Sequence, residues 1–492
     1  TGESLIGATA FIKENGLGTA ADVDGSFELN NFPIGKFTIE FSYVSYLTKT
    51  ISVDISKDTT LEIKLASDDL TFSSVEVIGK ANKESNLELI KLQKNSATVV
   101  DGVNAETFRK TPDSKASDVF KRVSGATVQE GKFVIIRGLN DRYNFGLING
   151  SPLPSSESDR KAFSFDIFPS NMLDNVLVMK TATPDLPGEF SGGIININTT
   201  EPKEDTITSL QFGTTYNTLS TFREFSSYKG SPTDFLGFGS YDRQIPIGIP
   251  STQDFPRSPN QKADLAKLIP SRWSTSQFNS LPNLNLQTTI NRNYRFGEKS
   301  FGFIFAHNYS HNYNFNKQIR QDYEESSTDI VKKMELTDSV FTKSILHSAL
   351  LNFSLVLNKN NSIRFKNLYS VNSEDRLNIR KGVRELDNDP RQWEKSTNIW
   401  YTENRLLSSQ LLGEHKLNKF RVDWNFGISN VGRDVPNLRR IVYRKYSFLE
   451  DDPNEQYTAV VLNNSTITTA AGNMFWSKSN ENIYSGKFDI SY

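Results

Sequence analysis

The chain has 492 residues, and its 56 Lys and Arg nearly cancel its 57 Asp and Glu, leaving a formal net charge of −1. That balance excludes the basic stripe of a nucleic-acid binder, and the absence of Cys excludes disulfides, thiolate metal sites and Cys nucleophiles. Apolar residues make up 36%, below the usual ~45–50% of a globular domain even with the 29 Gly added, which argues against one large dry core.

Four His (His307, His311, His347 and His415) leave little material for general acid/base or transition-metal chemistry, so no catalytic residue, cofactor or metal site is assigned. Length alone suggests about three domains. No apolar run reaches ~18 residues, so no transmembrane helix is encoded, and any membrane crossing falls to a β-barrel. The opening Thr1-Gly2-Glu3 reads as a turn already inside a domain, which places any targeting peptide upstream.

Residues 1–66 alternate in Phe27-Glu28-Leu29, Phe37-Thr38-Ile39-Glu40-Phe41 and Leu61-Glu62-Ile63-Lys64-Leu65, with turn clusters between them. This pattern predicts a small β-sandwich without a catalytic constellation. Asp22-Val23-Asp24-Gly25 has the look of a calcium loop, but in so strand-rich a module it is read as a tight turn. Gly2 to Ala10, then Asp22 to Phe27, then Asn31-Phe32-Pro33-Ile34-Gly35 together resemble the carboxypeptidase-regulatory-like domain, with a truncated first strand. The resemblance implies a non-catalytic sandwich of the kind placed ahead of outer-membrane receptors in Bacteroidetes-type bacteria.

Residues 67–94 form a polar, mixed-charge linker around one short β-prone patch, Val75-Glu76-Val77-Ile78-Gly79. Such a patch suits pairing with a partner's exposed strand edge, or is a strand of either neighbouring module. In residues 95–200, Ala116, Val119, Phe120 and Val123 fall at helical spacing. Lys132 to Gly138 reads as a buried strand ending in a turn, a loop rich in Gly, Asn and Pro follows, and the apolar run Val176 to Met179 comes after it, which makes a compact α+β unit.

Five motifs follow in order: Ile136-Arg137-Gly138, Leu147 to Leu153, Phe168-Pro169-Ser170-Asn171, Lys180 to Pro184, and Gly192-Gly193-Ile194-Ile195-Asn196-Ile197. They resemble the plug domain of TonB-dependent outer-membrane receptors. The resemblance implies that Val75 to Gly79 takes the place of the family's TonB box, with Glu76 interrupting its apolar run. It also implies that Arg137, with Gly138, Gly192 and Gly193, belongs to a network between plug and barrel, where a buried guanidinium would need a carboxylate. A loop-anchoring Arg137 is the plainer reading.

From 205 to 492 the evidence is period-two alternation. Odd positions from Phe301 to Phe315 are aromatic or His, and the even ones are mostly small or polar. The same alternation recurs in 208–216, 284–294, 345–357, 363–371, 400–412, 422–428 and 484–492, with short turns at one end and long loops such as Thr218 to Pro282 at the other. This is the pattern of an outer-membrane barrel. His307 and His311 share the lipid-facing side, and Arg439, Arg440, Arg444 and Lys445 are read as solvated. A barrel that holds such a plug needs about 22 strands, so the chain is expected to be part of a longer protein.

The expectation is therefore a mainly β protein: sandwich, linker, α+β plug and the first part of a transmembrane antiparallel barrel. By resemblance it is a receptor and transporter in the outer membrane of a Gram-negative bacterium, with its sandwich in the periplasm. Its partners would be a TonB-type protein, outer-membrane lipids, and a surface lipoprotein lid or other outer-membrane proteins. Position suggests ligand contacts from Asn140, Asp141, Arg142, Tyr143, Pro152, Ser155 and Ser156. The alternative is a structural subunit of an outer-membrane assembly built on the same plugged barrel. No HxxE or Ser/His/Asp grouping supports an enzyme.

Overall fold

The computed structural model describes residues 4–12, 17–29, 35–43, 46–57, 59–66, 86–111, 113–157, 160–184, 186–251, 253–269, 273–325, 329–386, 390–450, 452–460 and 472–492. They form two compact units, residues 1–80 and 81–492. The patch Val75 to Gly79 lies outside the described residues.

The first unit is an antiparallel four-stranded sheet in the order β2-β1-β3-β4, from β1 (Thr9–Ile12), β2 (Gly18–Ala20), β3 (Gly35–Ser42) and β4 (Lys49–Ile55). Alternation buries Ala10, Ile12, Ile39 and Phe41, and Phe27 meets Phe41 edge-on at 5.4 Å. Phe27 to Leu29 and Leu61 to Leu65, expected as strands, lie outside the strands of the sheet. Their apolar side chains still pack on the core. Asp22 Oδ1 accepts from the N–H groups of Asp24 and Ser26, so its carboxylate closes a turn, as the sequence suggests.

The second unit begins with a helix, α1 (Asn86–Asn95), inside the segment expected to be linker. It precedes β5 (Val100–Asn104), α2 (Ala105–Lys110) and α3 (Ala116–Phe120), then β6 (Ala126–Gln129) and β7 (Phe133–Ile136). Next come β8 (Asn144–Ile148), β9 (Ser151–Pro152), β10 (Leu173–Met179) and β11 (Gly193–Thr199). The sheet runs β5-β10-β11-β8-β9, and β6 pairs with β7. Ala116, Val119 and Phe120, read from helical spacing, are all buried in α3. Gly102 is small of necessity: a Cβ there would lie 2.6 Å from the Val176 carbonyl and 3.2 Å from Leu89 of α1.

The rest is wall. β12 (Ile207–Thr215) is separated from β15 (Asn283–Phe296) by an insertion holding β13 (Glu224–Tyr228), α4 (Pro259–Leu268) and β14 (Thr275–Asn279). Then follow β16 (Lys299–Glu325), β17 (Ile330–Asn358), β18 (Asn361–Val383), β19 (Arg391–Leu417), β20 (Phe420–Ser447), β21 (Thr458–Ala459) and β22 (Asn473–Ser491). They make one antiparallel nine-stranded sheet in which chain neighbours pair in sequence; β20 also takes β22.

Alternation assigns its two faces. Ile304, Ala306, Leu350 and Leu368 are buried against the plug core, while Leu351, Leu355, Phe365, Leu407 and Leu411 point away and are exposed. The exposed apolar side chains cluster toward the short-turn end, as a lipid-facing belt about 25 Å tall requires. The 29-residue β17 extends to roughly 95 Å, far beyond such a belt.

Candidate functional site: the plug and its wall

The plug core gathers Val119, Phe120, Ile136, Phe168, Met172, Val176 and Ile195, which are fully buried or nearly so, and apolar wall residues complete it on one side. Glycine is required where β11 begins. A Cβ on Gly192 would collide with the Asn144 side chain, and one on Gly193 would lie 3.0 Å from the Met179 carbonyl.

Around that apolar patch the wall holds the plug by polar side chains aimed largely at backbone. Asn352 donates to the Thr200 carbonyl at 2.6 Å, Gln410 to Ile148 at 2.8 Å, Ser370 to Ile167 at 2.6 Å and Asn425 to Asn149 at 3.1 Å. Asn372 donates to Asp166 at 2.5 Å, and the Ser155 N–H donates to Glu481 at 2.9 Å. Ion pairs add to them: Lys366 with Glu201 at 2.7 Å, Arg433 with Glu157 at 2.6 Å and Lys132 with Glu374 at 3.3 Å. Each neutral link contributes a modest ~0.5–1.5 kcal/mol. A seal made of many such links is specific in position yet separable one link at a time.

Electrostatics follows the contacts. Burial opposes the Lys132 charge, but Glu374 and Asp166 outweigh it and hold its pKa above the usual lysine value. Within the plug, Arg122 binds Asp113 through two nitrogens, at 2.5 and 3.2 Å. That hydrogen bond holds the Asp113 carboxyl below the usual carboxylate range against a smaller opposing effect of burial.

The residues singled out from sequence are placed as follows. Arg137 sits at φ +57° beside Gly138 at φ +73°, is exposed, and has no ion-pair partner among the described residues. The buried guanidinium expected there is not found; Lys132, Lys366 and Arg433 carry the charge between plug and wall. Asn140 caps the turn that follows it by accepting from the Arg142 N–H, Asp141 is buried against Arg160 at 3.2 Å, and Arg142 stacks over Tyr143 at 4.9 Å. Pro152 is half-buried in β9. Ser155 and Ser156 spend their hydroxyls closing their own loop onto the Ala162 carbonyl.

His307 and His311 do share the face away from the plug, but the partner of His307 is His347, with Nε2 atoms 3.0 Å apart. Arg439 and Lys445 are not solvated: they are 5% and 4% exposed. Arg444 is 3.5 Å from Glu394.

Sequence reasoning missed two features. Lys366 carried a signal, a cation on the inward parity of an otherwise amphipathic strand. The insertion carried less. Instead of standing free as a polar loop, it packs on the outer face of the wall, with Phe225 and Tyr228 against Phe341, Leu377 and Ile399. Glu403 Oε2 accepts from the N–H groups of Gly239 and Ser240, both at 3.0 Å. Arg243 binds Asp234 at 2.6 and 2.7 Å and lies 4.2 Å over the Tyr401 ring.

With this geometry in hand, two family models match the chain. Residues 1–78 match the CarboxypepD_reg-like domain, and residues 92–194 match the TonB-dependent receptor plug domain. The chain thus carries a CarboxypepD_reg-like domain and a TonB-dependent receptor plug domain, followed by a nine-stranded antiparallel wall, and neither matched domain family is an enzyme.

Solved structures that it resembles include the ferric citrate transporter FecA in its unliganded form, at 10% identity over 82% of this chain and 55% of that one, TM-score 0.33. The RagAB peptide importer in an open-open state matches at 10% identity over 81% and 53%, TM-score 0.35. The siderophore receptor PirA from Acinetobacter baumannii matches at 10% identity over 81% and 78%, TM-score 0.23. The chain spans about half the length of the first two. No curated protein matches it in sequence.

Proposed function

We propose that the chain belongs to an importer in the outer membrane of a Gram-negative bacterium, driven through Val75 to Gly79 by a TonB-type protein of the inner membrane. The observation that carries this reading is the plug itself, seated against the lumen face of the wall by separable polar links. The outer membrane has no ATP, so work must arrive mechanically. An extended segment that adds a strand to its partner loads its hydrogen bonds together and resists pulling. The short-turn end would then face the periplasm, with the accessory domain on that side, and the long strand extensions and the insertion would face outward. A ligand would enter from the outward end, guided by residues such as Arg142 and Tyr143, and a surface lipoprotein would act as a lid there.

Uptake by cells expressing the full-length receptor tests the reading. Val77→Pro removes an N–H needed for strand addition and is expected to abolish uptake while leaving surface binding of the ligand intact. Undiminished uptake in that variant, or an outer membrane defective in assembly with normal uptake, would instead point to a structural subunit.

A further inference from the structure

Residues directly opposite one another on paired strands share a face, so the registers define the lumen side of the wall beyond the plug. Glu374 meets Lys132 of the plug there. The same face of β18 continues through Arg376, Asn378 and Arg380. Arg376 stands opposite Trp400, and Asn378 opposite Asn398. Asn398 also faces Arg440, and Glu394 faces Arg444. Leu336 brings Arg320 onto the same face, pairing with it on one side and with Gly382 on the other.

This surface concentrates arginine: Arg320, Arg376, Arg380, Arg384, Arg440 and Arg444. Two carboxylates answer them. Asp338 takes Arg380 bidentately, at 2.6 and 2.8 Å, and Glu394 is shared by Arg384 at 2.5 Å and Arg444 at 3.5 Å. Arg320, Arg376 and Arg440 have no ion-pair partner among the described residues. In a chain of net charge −1, so local an excess marks a surface that draws anions. Guanidinium, unlike ammonium, presents a rigid fork that fits the two oxygens of a carboxylate or phosphate. Arg376 and Arg440 lie two strands apart, about 10 Å between strand axes. Between them the Trp400 indole N–H has no hydrogen-bond partner among the described residues.

We propose that this wall captures a solute bearing two or more oxyanion groups, carboxylate or phosphate, with Arg376 and Arg440 as its main contacts. The proposal deepens the importer reading and rests on it for its purpose. Its measurement does not, because equilibrium binding needs no TonB-type partner.

Calorimetric titration of the full-length receptor in neutral detergent tests it, with citrate as the polycarboxylate probe, inositol hexakisphosphate as the polyphosphate probe and maltotriose as the neutral one. At least one anion is expected to bind, more weakly as salt rises, and which one binds separates the two oxyanion chemistries. Arg376→Gln and Arg440→Gln should each weaken that binding about tenfold or more. Lys381→Gln, on the opposite face of β18, should leave it unchanged, with all three variants keeping the wild-type unfolding temperature. Binding of maltotriose alone, of neither anion, or of anions equally well to both arginine variants would overturn the proposal. Anion binding without energised uptake would leave it standing and sink the importer reading.

Discussion

Glu201 leads from the last plug strand toward the first wall strand, and Lys366 grips it at 2.7 Å, with Arg364 beside it at 3.2 Å. The end of the plug is therefore fastened to β18 at the point where the chain turns to become wall. Lys366 is 7% exposed, so its charge depends on that carboxylate. Removing one partner of a buried pair leaves the other uncompensated, at about 3–5 kcal/mol. Glu201→Gln is expected to lower the unfolding midpoint of the full-length receptor in detergent. The double variant Glu201→Gln/Lys366→Met should recover part of the loss, since two matched neutral groups cost less than one stranded charge. Additive losses in the double-mutant cycle would refute this coupling.

Glu403 anchors the insertion to the outer face of the wall, accepting from two backbone N–H groups and from the Ser240 hydroxyl at 2.6 Å. Glu403→Ala strands those donors, each at about 1–3 kcal/mol. Hydrogen exchange over residues 229–246 should accelerate by tenfold or more, while β16 to β19 stay protected. Unchanged protection of that segment would show that Arg243 and the aromatic cluster suffice to hold it.

Gly239 is confined between Tyr401 and Arg243, since a Cβ there would lie 2.7 Å from the Tyr401 ring and closer still to the guanidinium. Gly239→Ala should loosen the same segment through steric conflict, by about 1–3 kcal/mol. Limited proteolysis reads it: faster cleavage within the insertion is expected, and a resistant variant would contradict the packing.

Asp113 supplies a pH dependence. Its carboxyl is held below its ordinary value by the Arg122 hydrogen bond, so the stability it lends is fully present above the unfolded-state carboxylate pKa of about 3.9. That contribution is lost as pH falls through the lower folded-state value. Asp113→Asn should accordingly be less stable than wild type at neutral pH, and the gap should close on acidification. A gap that stays constant from pH 7 to strongly acid conditions, followed by chemical denaturation, would remove the charge from the explanation.

Much of this architecture was legible in the amino-acid order. Phe301 to Phe315 alternates because one face of β16 meets the plug and the other points away from it, and two such different surroundings leave a period of two. The helical spacing of Ala116, Val119 and Phe120 was equally readable, since it answers a local demand. Strand ends were not. Along the extensions of β17 to β20 polar residues occupy both parities over stretches such as Asn372 to Arg376, so the alternation that marks a strand fades there while the backbone pairing continues.

Sequence by itself determined the two faces of the wall strands and the short turns between them, because these follow from neighbours a few residues apart. Tertiary structure alone decided that Lys366 meets Glu201, that Arg439 and Lys445 are buried, that Arg137 is not, and that the insertion folds back to seat Arg243 over Tyr401. A charged side chain carries no mark of its partner. Whether it ends solvated, paired or stacked depends on which strand the register sets beside it, and that is settled only when segments hundreds of residues apart come together.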